Sequence, residues 1–351
     1  MIEEHGLDSG LRLFRNREML RITWREITAT ASLEQTLADL SELAEICLQA
    51  AIDAHETVLL ERFGVPRDDD GVRQQLVVLG LGKLGGRELN LSSDIDLILT
   101  FPSTGSCDGR RGLSNEQFFT RLSRAVIGSL SERTEDGFVF RVDTRLRPFG
   151  EAGPLVCSFG ALELYYQREG RDWERYALVK ARIVAGDRDS GKTLLQRLRP
   201  FVFRRYIDFS AVESLHSMLD AIRDEAIRKD RVDDVKRGPG GIREVEFLVQ
   251  CVQLLRGARE PTLQTTSLLD ALAAIESLEL FPAERVTALR DSYAFLRRLE
   301  NAIQAQEDQQ THSLPDGDAL QRIARVMGLD STSDLLTELQ HVLQASIDQG
   351  G

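Results

Sequence analysis

The stretch Leu76 to Leu99 reads LVVLGLGKLGGRELNLSSDIDLIL, and its interpretation decides the fold. The apolar run Leu76 to Leu79 is partly β-branched and closed by glycine, which predicts a buried strand. A glycine-rich turn carrying Gly80, Gly82, Gly85 and Gly86 follows, and then a second apolar run with Asp94 and Asp96. This second run also predicts a strand. Side chains two apart on a strand share a face, so both carboxylates point one way while Ile95 and Leu97 point the other. Paired carboxylates repel and are costly to desolvate. A divalent cation removes that cost, and hard oxygen donors suit Mg²⁺. The residues therefore predict a metal site beside a phosphate-holding turn.

Gly80, Gly82 and Gly85 also spell GxGxxG after a strand, the dinucleotide-binding pattern. That motif needs a helix and a crossover of about ten to twelve residues or more before the next parallel strand. Only Gly86 to Ser93 intervene here. The acids also arrive too early to reach a ribose, so the dinucleotide reading is set aside.

With 351 residues, the chain is long enough for two or three domains, and 42% hydrophobic residues make it globular. A net charge of -12 argues against a general nucleic-acid binder, which would carry a basic balance. Cys47, Cys107, Cys157 and Cys251 show no metal-binding or paired spacing. They read as reduced thiols of a cytoplasmic protein. The start, MIEEHGLDSG, is acidic and polar, unlike a signal peptide, and no apolar run approaches a membrane span.

Along the chain, Leu11 to Phe63 predicts helix, closed by Gly64 and Pro66. A second helix is expected from Asn115 to Arg133. Gly137 then opens a strand from Phe138 to Arg147. Alternation on it sets Val139, Arg141, Asp143, Arg145 and Arg147 on one face. Helices follow at Gly160 to Arg168 and Asp172 to Val184. Beyond Pro200 the pattern is nearly all helical: Ala211 to Lys229, Ile242 to Arg256, Ser267 to Leu278, Ala283 to Gln309, and shorter pieces between Asp318 and Ile347. Lys236 to Gly241 (KRGPGG) reads as a plain loop.

Asp94, Asp96 and Asp143 thus give three carboxylates on two strands. Lys83 and the pair Ser92 and Ser93 lie beside the glycine turn, whose backbone N–H groups can cradle phosphate oxygens. Two Mg²⁺ ions held by three aspartates clamp the attacking and leaving oxygens of an in-line displacement at phosphorus. This layout resembles the nucleotidyltransferase superfamily related to DNA polymerase beta, with Gly85-Gly86, Asp94-Ile95-Asp96 and Asp143 in the family's positions. The span from Gly86 to Asp94 is short for that superfamily.

GKLGGRELNLSSDIDLI, FRVDTRLRPFGEAGPL and GRDWERYALVKARIVAG are similar to the glutamine synthetase adenylyltransferase family. KRGPGGIREVEFLVQ, with Arg243, resembles the adenylyl-removing half of those proteins. The resemblance implies an α+β fold: a small mixed-sheet core flanked by helices, then a mostly helical bundle. It implies a helical segment at 1–66, a catalytic domain at 67–186 and a helical domain at 187–351. The implied activity is deadenylylation of glutamine synthetase by inorganic phosphate, releasing ADP. Mg²⁺ or Mn²⁺, as two ions, would be held by Asp94, Asp96 and Asp143. Gly82, Lys83, Gly85, Gly86, Ser92, Ser93, Arg145 and Arg147 are the expected phosphate and nucleotide contacts. The implied partners are adenylylated glutamine synthetase and uridylylated PII protein, with no nucleic acid and no membrane. AMP transfer from ATP, and a docking role for glutamine synthetase and PII, stay open as alternatives.

Overall fold

A computed structural model describes residues 2–204, 217, 234–305 and 311–349. The chain divides into two compact units. The first comprises Met1–Arg21, Ala38–Leu89 and Ser93–Val202, and the second Ile22–Leu37, Asn90–Ser92 and Phe203–Gly351. This division departs from boundaries at 66 and 186, because helices before and after the sheet pack with it.

The short α1 (Ile2–His5) is followed by α2 (Leu7–Ile27) and α3 (Leu33–Phe63). The single helix expected from Leu11 is therefore two. Ser32 starts the second: its hydroxyl accepts from the Gln35 backbone N–H, and the Gln35 side chain accepts from the Ser32 N–H. This reciprocal cap satisfies donors that a continuous helix would not have exposed. Along α3, Leu40, Ala44, Cys47, Leu48 and Ala51 are buried, as their three- and four-residue spacing predicts.

Two strands form a small ladder, β1 (Pro66–Arg67) with β4 (Ser106–Cys107). The main sheet has β2 (Val77–Leu81) and β3 (Ile95–Phe101) at its centre, joined through the one-turn helix α4 (Gly82–Gly85). They pair antiparallel, with Leu81 opposite Asp96. An antiparallel connection excludes the parallel crossover of a dinucleotide fold. After β3 comes α5 (Asn115–Ser131), capped by Ser114 and Gln117. Next come β5 (Val142–Asp143) and β6 (Val156–Ser158), which both pair parallel to β3, one after the other along the same edge. Only Val142 and Asp143 of the expected strand Phe138 to Arg147 join the ladder. Val139 and Phe140 are both buried, so strict alternation fails there.

Beyond β6 lie α6 (Phe159–Arg168), α7 (Asp172–Leu178), β7 (Arg182–Gly186) and α8 (Arg188–Val202). The helix expected through Val184 is thus cut after Leu178, and its tail becomes the strand that covers the other side of β2. Arg182 anchors this change. Its guanidinium donates to the Gly85 and Leu84 carbonyls, the C-terminal end of α4, and pairs with Glu45 at 2.7 Å. Nearby, Lys180 and Glu88 form a buried ion pair at 2.7 Å.

The second unit contains α9 (Ile242–Arg256), α10 (Leu268–Ser277), α11 (Ala283–Gln304), α12 (Gly317–Val326) and α13 (Thr332–Gln349). Val245, Val249, Leu272, Tyr293, Leu296 and Leu335 are among the side chains of its core. Glu300 is buried between Arg297, at 3.2 Å, and His312, at 3.1 Å. The expected helix Ala211 to Lys229 lies outside the described residues apart from Ser217. The Lys236 to Gly241 loop is held from within: Asp234 accepts from the Lys236 and Arg237 N–H groups, and Glu244 from that of Gly240.

Candidate active site

The register of β3 against β5 places Ile95 beside Val142 and Asp96 beside Asp143. Partners on adjacent parallel strands point to the same face, so these two carboxyls rise from neighbouring backbone positions. Asp96 is the one residue of β3 that is not buried; Ile95 and Leu97 on the opposite face are fully enclosed. Asp94 precedes the strand and shares with Asp143 an open cleft of ≈ 410 Å³. The other walls are Arg141, Val142, Thr144, Arg145, Arg147 and Glu151.

Guanidinium groups balance the acids. Arg141 Nε donates to Asp94 Oδ1 at 2.5 Å. Arg145 donates to Asp143 from its backbone N–H at 2.8 Å and from its side chain at 2.5 Å. Burial raises the Asp143 carboxyl, but the hydrogen bonds from Arg145, with the charges of Arg145 and Arg147, outweigh it and hold the pKa below its ordinary value. Arg147 donates to the Thr144 carbonyl and hydroxyl and to the Glu151 carbonyl, while its buried Nε–H has no partner. Arg145 has a largely exposed side chain. The cleft therefore holds carboxyl groups and three guanidinium groups together.

The turn behaves differently from a loop cradle. Gly82 has φ +52°, and a Cβ there would stand 2.6 Å from Asp96 Oδ2. Glycine at this position leaves room for the carboxylate. A Cβ on Gly85 would lie 1.8 Å from the Lys180 carbonyl oxygen, so Gly85 serves close packing against the segment entering β7. Gly86 caps α4, its N–H donating to the Gly82 carbonyl. Lys83 is buried in α4 and is not among the residues lining the cleft. Ser92 belongs to the second unit, where its N–H donates to Gln304 Oε1 at 2.8 Å. Ser93 is half-buried beside Asp94. The structure thus gathers Asp94, Asp143, Arg145 and Arg147 in the cleft, with Asp96 beside them and Gly82 against it. Gly85 packs against the Lys180 carbonyl, Gly86 closes α4, and Ser92 bonds to Gln304.

Arg141 and Glu151 line the cleft and were not singled out from the sequence. Arg141 had a signal, since it shares the polar face of the Asp143 segment. Among the described residues, no three His, Cys, Asp or Glu side chains are drawn together into a metal cage. The donor chemistry nonetheless fits a hard divalent ion. Asp94 and Asp143 line a solvent-open cleft, Asp96 lies in register with Asp143, and all three supply oxygen only.

Comparison with known proteins agrees with this architecture. Residues 1–197 match the family model described as glutamate-ammonia ligase adenylyltransferase. Residues 216–348 match a model described as PII-uridylyltransferase. A bifunctional glutamine synthetase adenylyltransferase/adenylyl-removing enzyme from Thioalkalivibrio sulfidiphilus is 52% identical over 338 residues, which is 96% of this chain and 35% of the relative. Another of the same name from Hahella chejuensis is 50% identical over 329 residues, 93% of this chain and 34% of the relative. The chain spans about one third of the length of these curated relatives. With one family model covering more than half of it, the chain belongs to the glutamate-ammonia ligase adenylyltransferase family.

Proposed function

We propose that this chain removes AMP from the adenylylated tyrosine of glutamine synthetase by phosphorolysis. The observation that carries the reading is the register of Asp96 with Asp143, beside a cleft that also holds Asp94 and three arginines. An oxygen of inorganic phosphate attacks the adenylyl phosphorus, the bond from phosphorus to the tyrosine oxygen breaks, and ADP is formed. The phenolate leaves and takes a proton from solvent. Its conjugate acid has a pKa of about 10, so departure needs little acid assistance. The attacking phosphate is already anionic and needs no strong base. What it needs is positive charge on approach. Arg145, largely exposed, and Arg147, which lines the cleft, are the candidates to supply it.

Asp94, Asp96 and Asp143 would hold Mg²⁺ or Mn²⁺. When bound, two such ions neutralise charge on the oxygens of the reacting phosphoryl group. The chain's own residues do the rest. Gly82 leaves space for the Asp96 carboxylate, and Arg141 fixes Asp94.

The test supplies inorganic phosphate and adenylylated glutamine synthetase and measures ADP. Asp94→Asn and Asp96→Asn should each abolish release while the far-ultraviolet circular dichroism stays unchanged. Full activity in both variants would remove the reading. The relatives' names couple removal with addition, so the same protein should be offered ATP and unmodified glutamine synthetase. Labelled product there would assign the forward transfer instead. The match of residues 216–348 to a PII-uridylyltransferase model supports a regulatory role for the helical unit toward PII. Retained PII binding by a chain ending near residue 202 would place that contact elsewhere.

A further inference from the structure

Phe149 lies between Arg147 and Glu151, two residues of the cleft, on the loop that separates β5 from β6. It is 60% exposed. Its backbone is left-handed, with φ 60° and ψ 12°, and Gly150 after it is left-handed too. A phenylalanine in this conformation is strained, and an exposed ring returns little burial to offset the strain. Such combinations concentrate where a ligand uses them.

The ring is also held in place. It meets Tyr165 edge to face, with centroids 4.6 Å apart and an interplanar angle of 66°. The Tyr165 hydroxyl donates to Glu174 Oε1 at 2.7 Å. Glu174 is buried, and its other oxygen accepts the Arg171 N–H at 2.9 Å. This chain of contacts fixes a flat apolar surface beside a charged cleft.

We propose that Phe149 is the platform on which the adenine ring of the nucleotide stacks, with the phosphates in the arginine-lined cleft. The proposal rests on the reading of that cleft as a nucleotide site. A purine offers a flat, weakly hydrated face that matches an exposed phenyl ring, and stacking of a base on an aromatic side chain is a substantial contribution to binding. The charged cleft supplies no such surface, since its walls are mainly carboxylates and guanidinium groups.

The experiment titrates ADP and, separately, inorganic pyrophosphate into the whole chain by calorimetry, with Mg²⁺ present. Phe149→Ala should weaken ADP about five- to a hundredfold and leave pyrophosphate unchanged. Phe149→Trp should keep ADP affinity, and ADP should quench the added indole fluorescence relative to wild type. Unchanged ADP affinity in Phe149→Ala overturns the platform while the cleft reading stands. So does an equal loss for both ligands, or a change confined to the KM for adenylylated glutamine synthetase, which would make Phe149 a protein contact. Wild-type protein that binds neither ligand overturns the nucleotide-site reading and the platform with it.

Discussion

Asp96 and Asp143 stand on the same rung of two adjacent parallel strands, with Gly82 packed against the first of them. The carboxylate of Asp96 occupies space that a β-carbon at residue 82 would need. Gly82→Ala should therefore displace that carboxylate while also straining a backbone at φ +52°. Misplacing a reacting group by about an ångström costs on the order of a hundredfold in rate. Under the proposed function, ADP release by Gly82→Ala should fall by about that factor, with a smaller loss of thermal stability.

Arg145 covers the Asp143 carboxylate with a side-chain pair at 2.5 Å. Its removal should act in opposite directions on two readouts. Arg145→Gln should bind Mn²⁺ more tightly, followed by loss of the free-ion paramagnetic resonance signal, because a competing cation has left the carboxylate. Under the proposed function it should also raise the KM for inorganic phosphate. If Mn²⁺ affinity falls instead, Arg145 supports the site rather than competing for it.

Lys180 and Glu88 pair at 2.7 Å with each side chain only 6% exposed. Removing one partner leaves a buried charge, which typically costs about 3–5 kcal/mol. Lys180→Met and Glu88→Gln should each lower the denaturant midpoint strongly. The double variant Lys180→Met with Glu88→Leu should recover much of the loss, since a buried pair is often replaceable by apolar residues.

His55 gives stability a pH dependence. Burial lowers its pKa below the ordinary value, and its Nε2 lies 2.9 Å from Ser129 Oγ. The unfolded chain therefore binds the proton more readily than the folded one. Stability from this group is present above about pH 6.5 and is lost as pH falls from there toward the lowered folded value. Denaturation midpoints should fall on acidification across this window, and His55→Gln should show a shallower fall. Parallel curves would remove His55 as the cause.

How much of this was written in the sequence differs by element. The strand pair around Asp94 and Asp96 was legible because each run is short, apolar and bounded by glycine or serine. Ile242–Arg256 and Ala283–Gln304 were legible because their apolar stripes repeat at the helical period. The break at Ser32 carried a local signal, the Ser-x-x-Gln cap, which a reading by hydrophobic period alone passes over. β7 was not legible: Ala177 to Val184 keeps a spacing a helix accepts, and the segment is a strand because β2 offers it a ladder.

The local order of side chains thus determined which segments are strands and helices wherever period and caps agree, and it named the acids. Pairing decided the rest. Asp143 is 47 residues from Asp96 in the chain, and only the β3–β5 register sets them side by side. Whether a glycine frees space for a carboxylate, as at Gly82, or lets two backbones touch, as at Gly85, depends on what arrives from elsewhere in the chain. Hydrophobic period and end-capping act over a few residues, whereas register and close approach arise between segments far apart in sequence, so no local pattern encodes them.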